Sequence, residues 1–236
     1  MIIIPDIHGR LFWEKPVKEY LGHEHIVFLG DYVDPYHDEF INRRHMLRRL
    51  GEIINLKREN PDSVTLLLGN HDLQYLDSRM RAGRYDFANR ETIRQIIEKA
   101  AGLFQITFTQ GKYLFTHAGL LEGWIKHSRK RMQNLPEDDK DVPEALNTLW
   151  NDPRQRASLL LALADTPTSR NGMNVYGSPV WSDAMDMRTD RPEVDGFLQV
   201  FGHTYSPQGP ILREYFACID CGRAFRLTED GTLKII

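Results

Sequence analysis

The stretch Val64-Thr65-Leu66-Leu67-Leu68-Gly69-Asn70-His71-Asp72 is an apolar run that ends in a polar cluster. A continuous apolar run of this length is typical of a β-strand that is buried on both faces. Glycine allows a sharp turn where the strand ends, and the asparagine and histidine that follow it can both take part in metal chemistry. The stretch therefore predicts a strand that carries functional residues at its carboxyl end.

The same pattern occurs at four other places in the chain. The apolar runs are residues 2–4, 26–29, 113–115 and 198–201, and the polar residues that follow them are Asp6 with His8, Asp31, His117 and His203, respectively. Helical patterns lie between the runs, at about 39–59, from Asn89 as N-cap to about 101, and from Asp152 as N-cap to about 163. Alternating strands and helices predict an α/β fold.

The last forty residues have a different pattern. Strand-like segments at 215–220, 224–228 and 232–236 are separated by Gly222 and by Asp230-Gly231, as expected for strands joined by tight turns. We therefore expect mixed β-sheet, parallel early in the chain and antiparallel late, with helices on its flanks. A chain of 236 residues is long enough for one domain with a full core, and we predict a single domain over residues 1–236. Within it, residues at about 120–178 are helical and charged, and we interpret them as an insertion that covers the site.

Composition excludes several classes of protein. The net charge of −3 provides no basic surface for nucleic acid, so nucleic-acid binding is not expected. No apolar stretch approaches the roughly 18 residues that span a bilayer, and no signal peptide is recognisable, so we expect a cytoplasmic protein with no membrane partner. Cys218 and Cys221 are spaced as a redox pair or half a zinc site, but two thiols near the end of a strand are the simpler interpretation.

The polar residues that follow the strands have the chemistry of a metal site. Carboxylate and amide oxygens suit hard divalent cations, and imidazole suits Mn, Fe and Zn. Two metals about 3.5–4 Å apart can hold the attacking and leaving oxygens of a phosphoryl transfer. The chain offers six candidate ligands for such a pair, namely Asp6, His8, Asp31, Asn70, His117 and His203.

Five ordered blocks of residues resemble the signature of the calcineurin-like metallophosphoesterases, most closely the serine/threonine protein phosphatase branch. The blocks are Asp6-Ile7-His8-Gly9, Gly30-Asp31-Tyr32-Val33-Asp34, Gly69-Asn70-His71-Asp72, His117-Ala118-Gly119 and Gly202-His203-Thr204. The short block Trp181-Ser182-Asp183 resembles a further one. A single block would be weak evidence, but five in the same order are specific. The resemblance implies a metallophosphoesterase sandwich of mixed sheets, with the metal site at the carboxyl ends of strands.

The resemblance also implies a role for each residue. The metal ligands would be Asp6 and His8 on the first ion, Asp31 bridging both ions, and Asn70, His117 and His203 on the second ion. His71 would be the general acid that protonates the leaving oxygen, oriented and charged by Asp34. The nucleophile would be a hydroxide activated by both metals, with no covalent phosphoenzyme. We expect Mn, Fe or Zn and favour Mn.

One position departs from the family pattern. Members usually follow the second aspartate of the second block with an arginine that grips the substrate phosphate, but this chain has Pro35 there. Arginines elsewhere could replace it, and the candidates are Arg10, Arg43, Arg44, Arg170, Arg188, Arg191 and Arg223. Arg191 is the preferred one, and Tyr36 and His37 are close enough in sequence to Asp34 to touch substrate.

We therefore expect an enzyme that hydrolyses a phosphomonoester, on a protein or a small molecule. The alternative enzyme is a hydrolase of dinucleoside polyphosphates or other nucleotides. A binding module that kept the fold and lost its chemistry is a third possibility, which the intact ligand set and the intact pair His71–Asp34 argue against. The oligomeric state does not follow from the sequence.

Overall fold

The structure is a computed structural model that describes residues 1–132, 134–189, 194 and 196–236. The chain forms two compact units, one of residues 1–104 together with 222–236 and one of residues 105–221. Each unit contains a mixed β-sheet with helices beside it. The predicted α/β class with mixed sheets is confirmed.

Eleven strands and eight α-helices make up the part of the chain that the structure describes. The strands are β1 Ile2–Ile4, β2 Ile26–Phe28, β3 Val64–Leu67, β4 Phe104–Gln105, β5 Thr107–Gln110, β6 Tyr113–Thr116, β7 Leu198–Phe201, β8 Ile211–Leu212, β9 Phe216–Cys218, β10 Phe225–Leu227 and β11 Leu233–Ile235. The helices are α1 Glu14–Tyr20, α2 Arg43–Glu59, α3 Asn70–Leu73, α4 Arg90–Lys99, α5 Glu122–Arg129, α6 Val142–Asn151, α7 Arg156–Leu163 and α8 Asp186–Thr189. Short 3-10 helices lie at His37–Glu39, Ala101–Leu103, Asp139–Asp141 and Thr168–Arg170.

The sheet of the first unit has the strand order β11-β10-β1-β2-β3-β4. Strands β1, β2 and β3 are parallel neighbours, and every residue in them is buried. Burial of each Ile, Val or Leu side chain stabilises the fold by about 1.5–3 kcal/mol. Because parallel strands end at the same edge of a sheet, the loops after β1, β2 and β3 meet there. These loops carry the first three blocks of candidate site residues.

The sheet that contains β5 to β9 has the order β5-β6-β7-β9-β8. Strands β6, β7 and β9 are parallel, and the two outer strands are antiparallel to their neighbours. The loops after β6 and β7 therefore leave the same edge of this sheet. His117 follows β6 and His203 follows β7.

Of the three strands predicted late in the chain, the last two pair with each other and the first pairs elsewhere. Strand β9 is parallel to β7, whereas β10 and β11 form an antiparallel hairpin on the outer side of β1. Gly222, with φ +69°, lies in the segment between β9 and β10. The strand positions were predictable from local pattern, but the partner of each strand depends on contacts with distant residues.

The three helical patterns in the sequence correspond to α2, α4 and α7, and α2 and α7 start later than predicted. Helix α2 begins at Arg43 rather than near residue 39, because the Asn42 side chain caps it by accepting from the Arg44 amide. Asn89 stands at the cap position of α4, but the side chain that accepts the amides there is Asp86. Helix α7 begins only at Arg156, because residues 153–155 form a turn after Asp152.

The segment at about 120–178 is helical, as predicted, and contains α5, α6 and α7. Trp124 on α5 and Trp150 on α6 are completely buried and anchor these helices. That the segment covers the site, and that residues 1–236 act as a single domain, stay predictions. Among the described residues, no helix combines the length and the apolar character that crossing a bilayer requires.

Candidate metal centre

His8 is fixed in the loop after β1 by contacts to the loop after β2. Its backbone amide donates to the Asp31 carbonyl over 2.7 Å, and its Nδ1 lies 2.8 Å from the Val33 carbonyl oxygen. A carbonyl can only accept, so Nδ1 carries the proton and Nε2 carries the lone pair. That Nε2 lies 3.5 Å from Oδ2 of Asp31. Burial, with the nearby His71 and Arg84, lowers the pKa of His8 well below its usual value, so the imidazole is neutral.

Asp31 is buried in a left-handed backbone conformation, with φ +53°. Its Oδ1 accepts a hydrogen bond of 3.0 Å from the amide of His71, which ties the loop after β2 to the loop after β3. Burial, followed by the charges of Asp6 and Asp72, raises the pKa of Asp31 well above its usual value. A buried group of carboxylates that repel each other in this way is stabilised when a cation binds among them.

Two glycines allow the loops after β2 and β3 to approach closely. A Cβ on Gly30, which has φ +109°, would lie 2.5 Å from the amide nitrogen of Gly69. A Cβ on Gly69 would lie 2.1 Å from Oδ1 of Asp31. Both distances are far shorter than any van der Waals contact, so only glycine fits at either position.

Asp72 joins the same two loops through its side chain. Its carboxylate accepts hydrogen bonds of 2.8–2.9 Å from the amides of Asp31, Tyr32 and Gly69. Burial raises the pKa of Asp72 to about 7, although these three amides act in the opposite direction. Asp72 is therefore a positioning residue, which holds the loops of the site together.

His71 and Asp34 form a buried pair. The His71 Nδ1 lies 2.9 Å from Oδ2 of Asp34, across 37 residues of sequence. Gln74 and Tyr75 also donate to the Asp34 carboxylate. Burial raises the pKa of Asp34 to about 7, and the hydrogen bonds from Tyr75 and Gln74 oppose the shift. The pair fixes the ring of His71 so that its Nε2 faces away from Asp34.

The two remaining histidines meet in the second unit. His117 and His203 have ring centroids 5.0 Å apart, and Nε2 of His117 lies 3.2 Å from Nδ1 of His203. The amide of Gly202 donates to the His117 carbonyl over 2.8 Å and so couples the loops after β6 and β7. Two imidazole nitrogens bound tetrahedrally to one metal at about 2.0–2.1 Å would be about 3.3 Å apart. The observed separation fits that arrangement.

The donor groups present in the first unit also fit a divalent cation. One ligand atom from each of His8, Asp31 and His71 lies within 4.8 Å of the other two. A neutral imidazole and a buried carboxylate are the donors that Mn, Fe and Zn share. Asp6 and Asn70 are both about 2% exposed and belong to the same loops. His8 and Asp31, two of the predicted ligands, are thus brought together beside His71.

The model of the calcineurin-like phosphoesterase family matches residues 1–207 of the chain. The chain belongs to this family. It is therefore a metal-binding phosphoester hydrolase, as the resemblance of the sequence blocks predicted. No curated protein sequence matches the chain.

Solved structures of phosphatases share this calcineurin-like fold. A cold-active protein tyrosine phosphatase of a psychrophilic Shewanella species is 19% identical, with a TM-score of 0.57 over 99% of this chain and 79% of that one. A point mutant of a cold-active protein tyrosine phosphatase gives 18% identity and a TM-score of 0.60, over 99% of this chain and 79% of that one. A protein serine/threonine phosphatase from Saccharomyces cerevisiae is 13% identical, with a TM-score of 0.57 over 100% of this chain and 78% of that one. At these identities the likeness shows the fold.

Several residues of this calcineurin-like site did not stand out in the sequence. Gln74 and Tyr75 follow His71 by three and four residues, a spacing that places side chains on one face of a helical turn and could have indicated them. Arg84 had no such signal. It lies in the segment between Leu73 and Arg90, yet its Nη2 is 3.3 Å from Nε2 of His71.

Of the candidate substrate-binding residues, the structure describes Tyr36 and His37 but not Arg191. The Tyr36 ring lies edge-on to His8, with centroids 5.2 Å apart, so Tyr36 is at the site. His37 is exposed and lines a cavity beside Asp34. Arg191 lies outside the described residues, as does the side chain of Arg188.

The other arginine candidates either form ion pairs or lie exposed on the surface. Arg10, Arg43 and Arg170 form ion pairs with Glu39, Asp86 and Asp183, respectively. Arg44 and Arg223 are exposed on the surface.

Cys218 and Cys221 are both buried and form no disulfide. The Cys218 thiol donates to the Gly202 carbonyl at 3.2 Å, which supports the loop that carries His203. The structure thus provides a packing role for this cysteine.

Proposed function

We propose that this protein hydrolyses a phosphomonoester, using two divalent cations of which Mn²⁺ is the favoured species. The ligands in this proposal are Asp6, His8, Asp31, Asn70, His117 and His203. The observation that carries it is the buried pair of His71 and Asp34 beside the lone-pair nitrogen of His8. A binding module would have no use for a proton donor held in that position.

Each residue of the site has its own role in the proposed hydrolysis. The cations, when bound, supply positive charge to the phosphoryl oxygens and lower the pKa of water toward neutrality. Asp34 holds Nδ1 of His71, so Nε2 is the atom that delivers a proton to the leaving oxygen. The rings of His8 and His71 are perpendicular, with centroids 5.0 Å apart, which keeps the proton donor next to a metal ligand. Asp72, Gly30 and Gly69 allow the loops after β2 and β3 to lie close together.

The proposed substrate is a phosphorylated side chain of a protein or a small phosphomonoester. Support comes from the fold shared with enzymes described as protein tyrosine and serine/threonine phosphatases. Residues at about 120–178 are proposed to shape the side of the site that receives the substrate. Hydrolysis of dinucleoside polyphosphates is the competing activity, and a comparison of substrate classes distinguishes it from phosphomonoester hydrolysis.

The test measures the hydrolysis of three substrate classes by the purified protein with added Mn²⁺. The substrates are a chromogenic phosphomonoester, a phosphodiester and a dinucleoside polyphosphate. We expect the phosphomonoester to be turned over fastest and the activity to disappear with a chelator and return with metal. Faster turnover of the dinucleoside polyphosphate would contradict the proposed substrate class, and no turnover of any substrate would contradict the enzyme itself.

A further inference from the structure

The second sequence block leaves the site without its usual arginine. Pro35 follows Asp34 where the family pattern that the sequence blocks resemble has a phosphate-binding arginine, and the proline side chain has no group that can bind an anion. The negative oxygens of a phosphate are bound strongly by charge-assisted hydrogen bonds from an arginine. The part of the chain that the structure describes places one arginine beside both His8 and His71.

Arg84 occupies that place although it is 50 residues beyond Asp34. Its Nη2 lies 3.3 Å from Nε2 of His71 and 3.2 Å from Nε2 of His8. Its Nε donates to the backbone carbonyl of Asp34 over 2.9 Å. The guanidinium also lies over the ring of Tyr36, at 3.8 Å from its centroid. These contacts hold the charged group in one orientation.

The position of Arg84 is compatible with a metal on His8. Its Nη2 is almost equally far from the two ring nitrogens of His8, at 3.4 Å from Nδ1 and 3.2 Å from Nε2. An atom on the line of the Nε2 lone pair would be much farther from Nδ1 than from Nε2. The guanidinium therefore leaves that lone pair available. With a cation on His8 and a proton on His71, three positive groups would face one another, and an anion between them would relieve the repulsion.

The guanidinium has the charge and the access that an anion requires. Arg84 forms no ion pair with a carboxylate in the residues that the structure describes, and its side chain is half-buried. It lines a cavity of about 420 Å³ together with Asp34, Tyr36 and Phe87, so a solute can reach it. Its backbone has φ +60°, as unusual for a non-glycine residue as those of His8, Asp31 and Asp34.

We propose that Arg84 is the phosphate-binding arginine of this protein and takes the role that Pro35 cannot fill. It would donate hydrogen bonds to the non-bridging oxygens of the substrate phosphoryl group, with Tyr36 as the surface on which the guanidinium rests. The inference rests on the proposed function, because it concerns the phosphate that the metals and His71 would act on.

The test replaces the charge and measures phosphate binding as well as turnover. Arg84→Gln is compared with Arg81→Gln, which removes the same charge from an exposed residue of the same loop. Inorganic phosphate is titrated into the metal-loaded proteins by calorimetry, and its inhibition constant is measured against a phosphomonoester. We expect Arg84→Gln to weaken phosphate binding about 10- to 100-fold and to raise KM similarly. Arg81→Gln should leave the phosphate affinity and KM unchanged. For Arg84→Lys both values should lie between those of Arg84→Gln and the wild type, since lysine keeps the positive charge but lacks the planar set of donors of the guanidinium group.

The outcomes separate the alternatives. Phosphate affinity within twofold of wild type in Arg84→Gln would overturn the proposal, as would loss of bound metal, which would make Arg84 a positioning residue for the ligands. If Arg84→Gln does not fold, Arg84→Lys decides by the same titration. A wild-type protein that binds phosphate through Arg84 but turns over no phosphomonoester would refute the proposed function and leave this assignment standing.

Discussion

The imidazole of His71 depends on Asp34 from the loop after β2, and on Gln74 and Tyr75, which directly follow the short helix α3. Asp34 binds its Nδ1, and Gln74 and Tyr75 bind the Asp34 carboxylate in turn. A side chain whose orientation is fixed on one nitrogen can present the other nitrogen to substrate without loss of rotamer entropy. Residues from two loops thus preorganise His71, the proposed general acid.

The first prediction concerns His71→Asn. We expect kcat for an alkyl phosphomonoester to fall about 10²–10⁴-fold, because no group remains to protonate the leaving oxygen. Bound metal should stay at the wild-type level, since the backbone amide of residue 71 still donates to Asp31. The loss should be smaller for p-nitrophenyl phosphate, whose leaving group needs little protonation. His45→Asn, at an exposed histidine, is the control, and equal losses for both substrates would contradict the role of His71 as acid.

Asp72 has a different role from the proposed metal ligands around it. Its carboxylate accepts from three buried backbone amides, and none of these amides can reach water if the carboxylate is lost. Buried donors without acceptors are costly, at about 1–3 kcal/mol each.

The second prediction is therefore that Asp72→Asn destabilises the protein. The NH₂ group of the asparagine side chain would face backbone amides that now donate to a carboxylate oxygen. The free energy of unfolding should therefore fall by about 1–3 kcal/mol or more. Urea unfolding monitored by circular dichroism measures it. Asp62→Asn, at an exposed residue shortly after α2, should change stability by less than about 0.5 kcal/mol. Equal stability of the two variants would show that the three hydrogen bonds contribute little.

At the scale of the elements, the site exists because the loops after β2 and β3 touch. Parallel pairing of β2 with β3 sets their separation, and Gly30 and Gly69 let the two backbones approach without side chains between them. Asp31 then reaches the amide of His71, so one contact positions both the carboxylate proposed to bridge the metals and the proposed proton donor.

The third prediction tests that contact with Gly69→Ala. A methyl group 2.1 Å from Oδ1 of Asp31 forces the carboxylate away, so the protein should lose metal as well as activity. Metal analysis by mass spectrometry after gel filtration measures the loss. A variant that keeps full metal content would show that Asp31 is not placed by this approach.

The matched control is Gly51→Ala in α2. A Cβ there meets no atom within 4 Å, and the residue is in the middle of a helix. Metal content should be unchanged, and stability should rise by about 0.5–1 kcal/mol, because alanine is the better helix former.

At the scale of the whole molecule, metal binding and folding should be linked. A ligand that binds only the folded state stabilises it by mass action, by about 2.7 kcal/mol when its concentration is a hundred times its dissociation constant. Burial and the charges of Asp6 and Asp72 raise the pKa of Asp31 in the absence of a cation, so the effect should be pronounced in this protein.

The fourth prediction is that Mn²⁺ raises the melting temperature of chelator-treated protein by about 5–10 °C at saturating metal. Differential scanning calorimetry at several metal concentrations measures it. Asp31→Asn should lose most of the shift, because it removes the charge that is expected to bind both ions. A melting temperature that does not respond to millimolar Mn²⁺ would contradict the metal assignment.

Much of this protein could be predicted from its sequence, and the reason is that the relevant signals are local. Residues 2–4, 26–29 and 64–68 form continuous apolar runs because buried parallel strands need them, and the acid and histidine residues follow each run directly. Parallel strands deliver such residues to one edge of the sheet. The order of the blocks therefore indicated both the fold and the chemistry.

The tertiary structure alone decided which residues support and complete that chemistry. Asp72 is joined to Asp31 across 41 residues and Arg84 to Asp34 across 50. The sequence blocks, which did predict the contact of His71 with Asp34, indicated neither of these contacts. Among the arginines named from sequence, three are held in ion pairs by carboxylates of their own surroundings. The arginine beside His71 could be found only once the chain was folded, because its place depends on where a distant loop returns and not on the residues next to it.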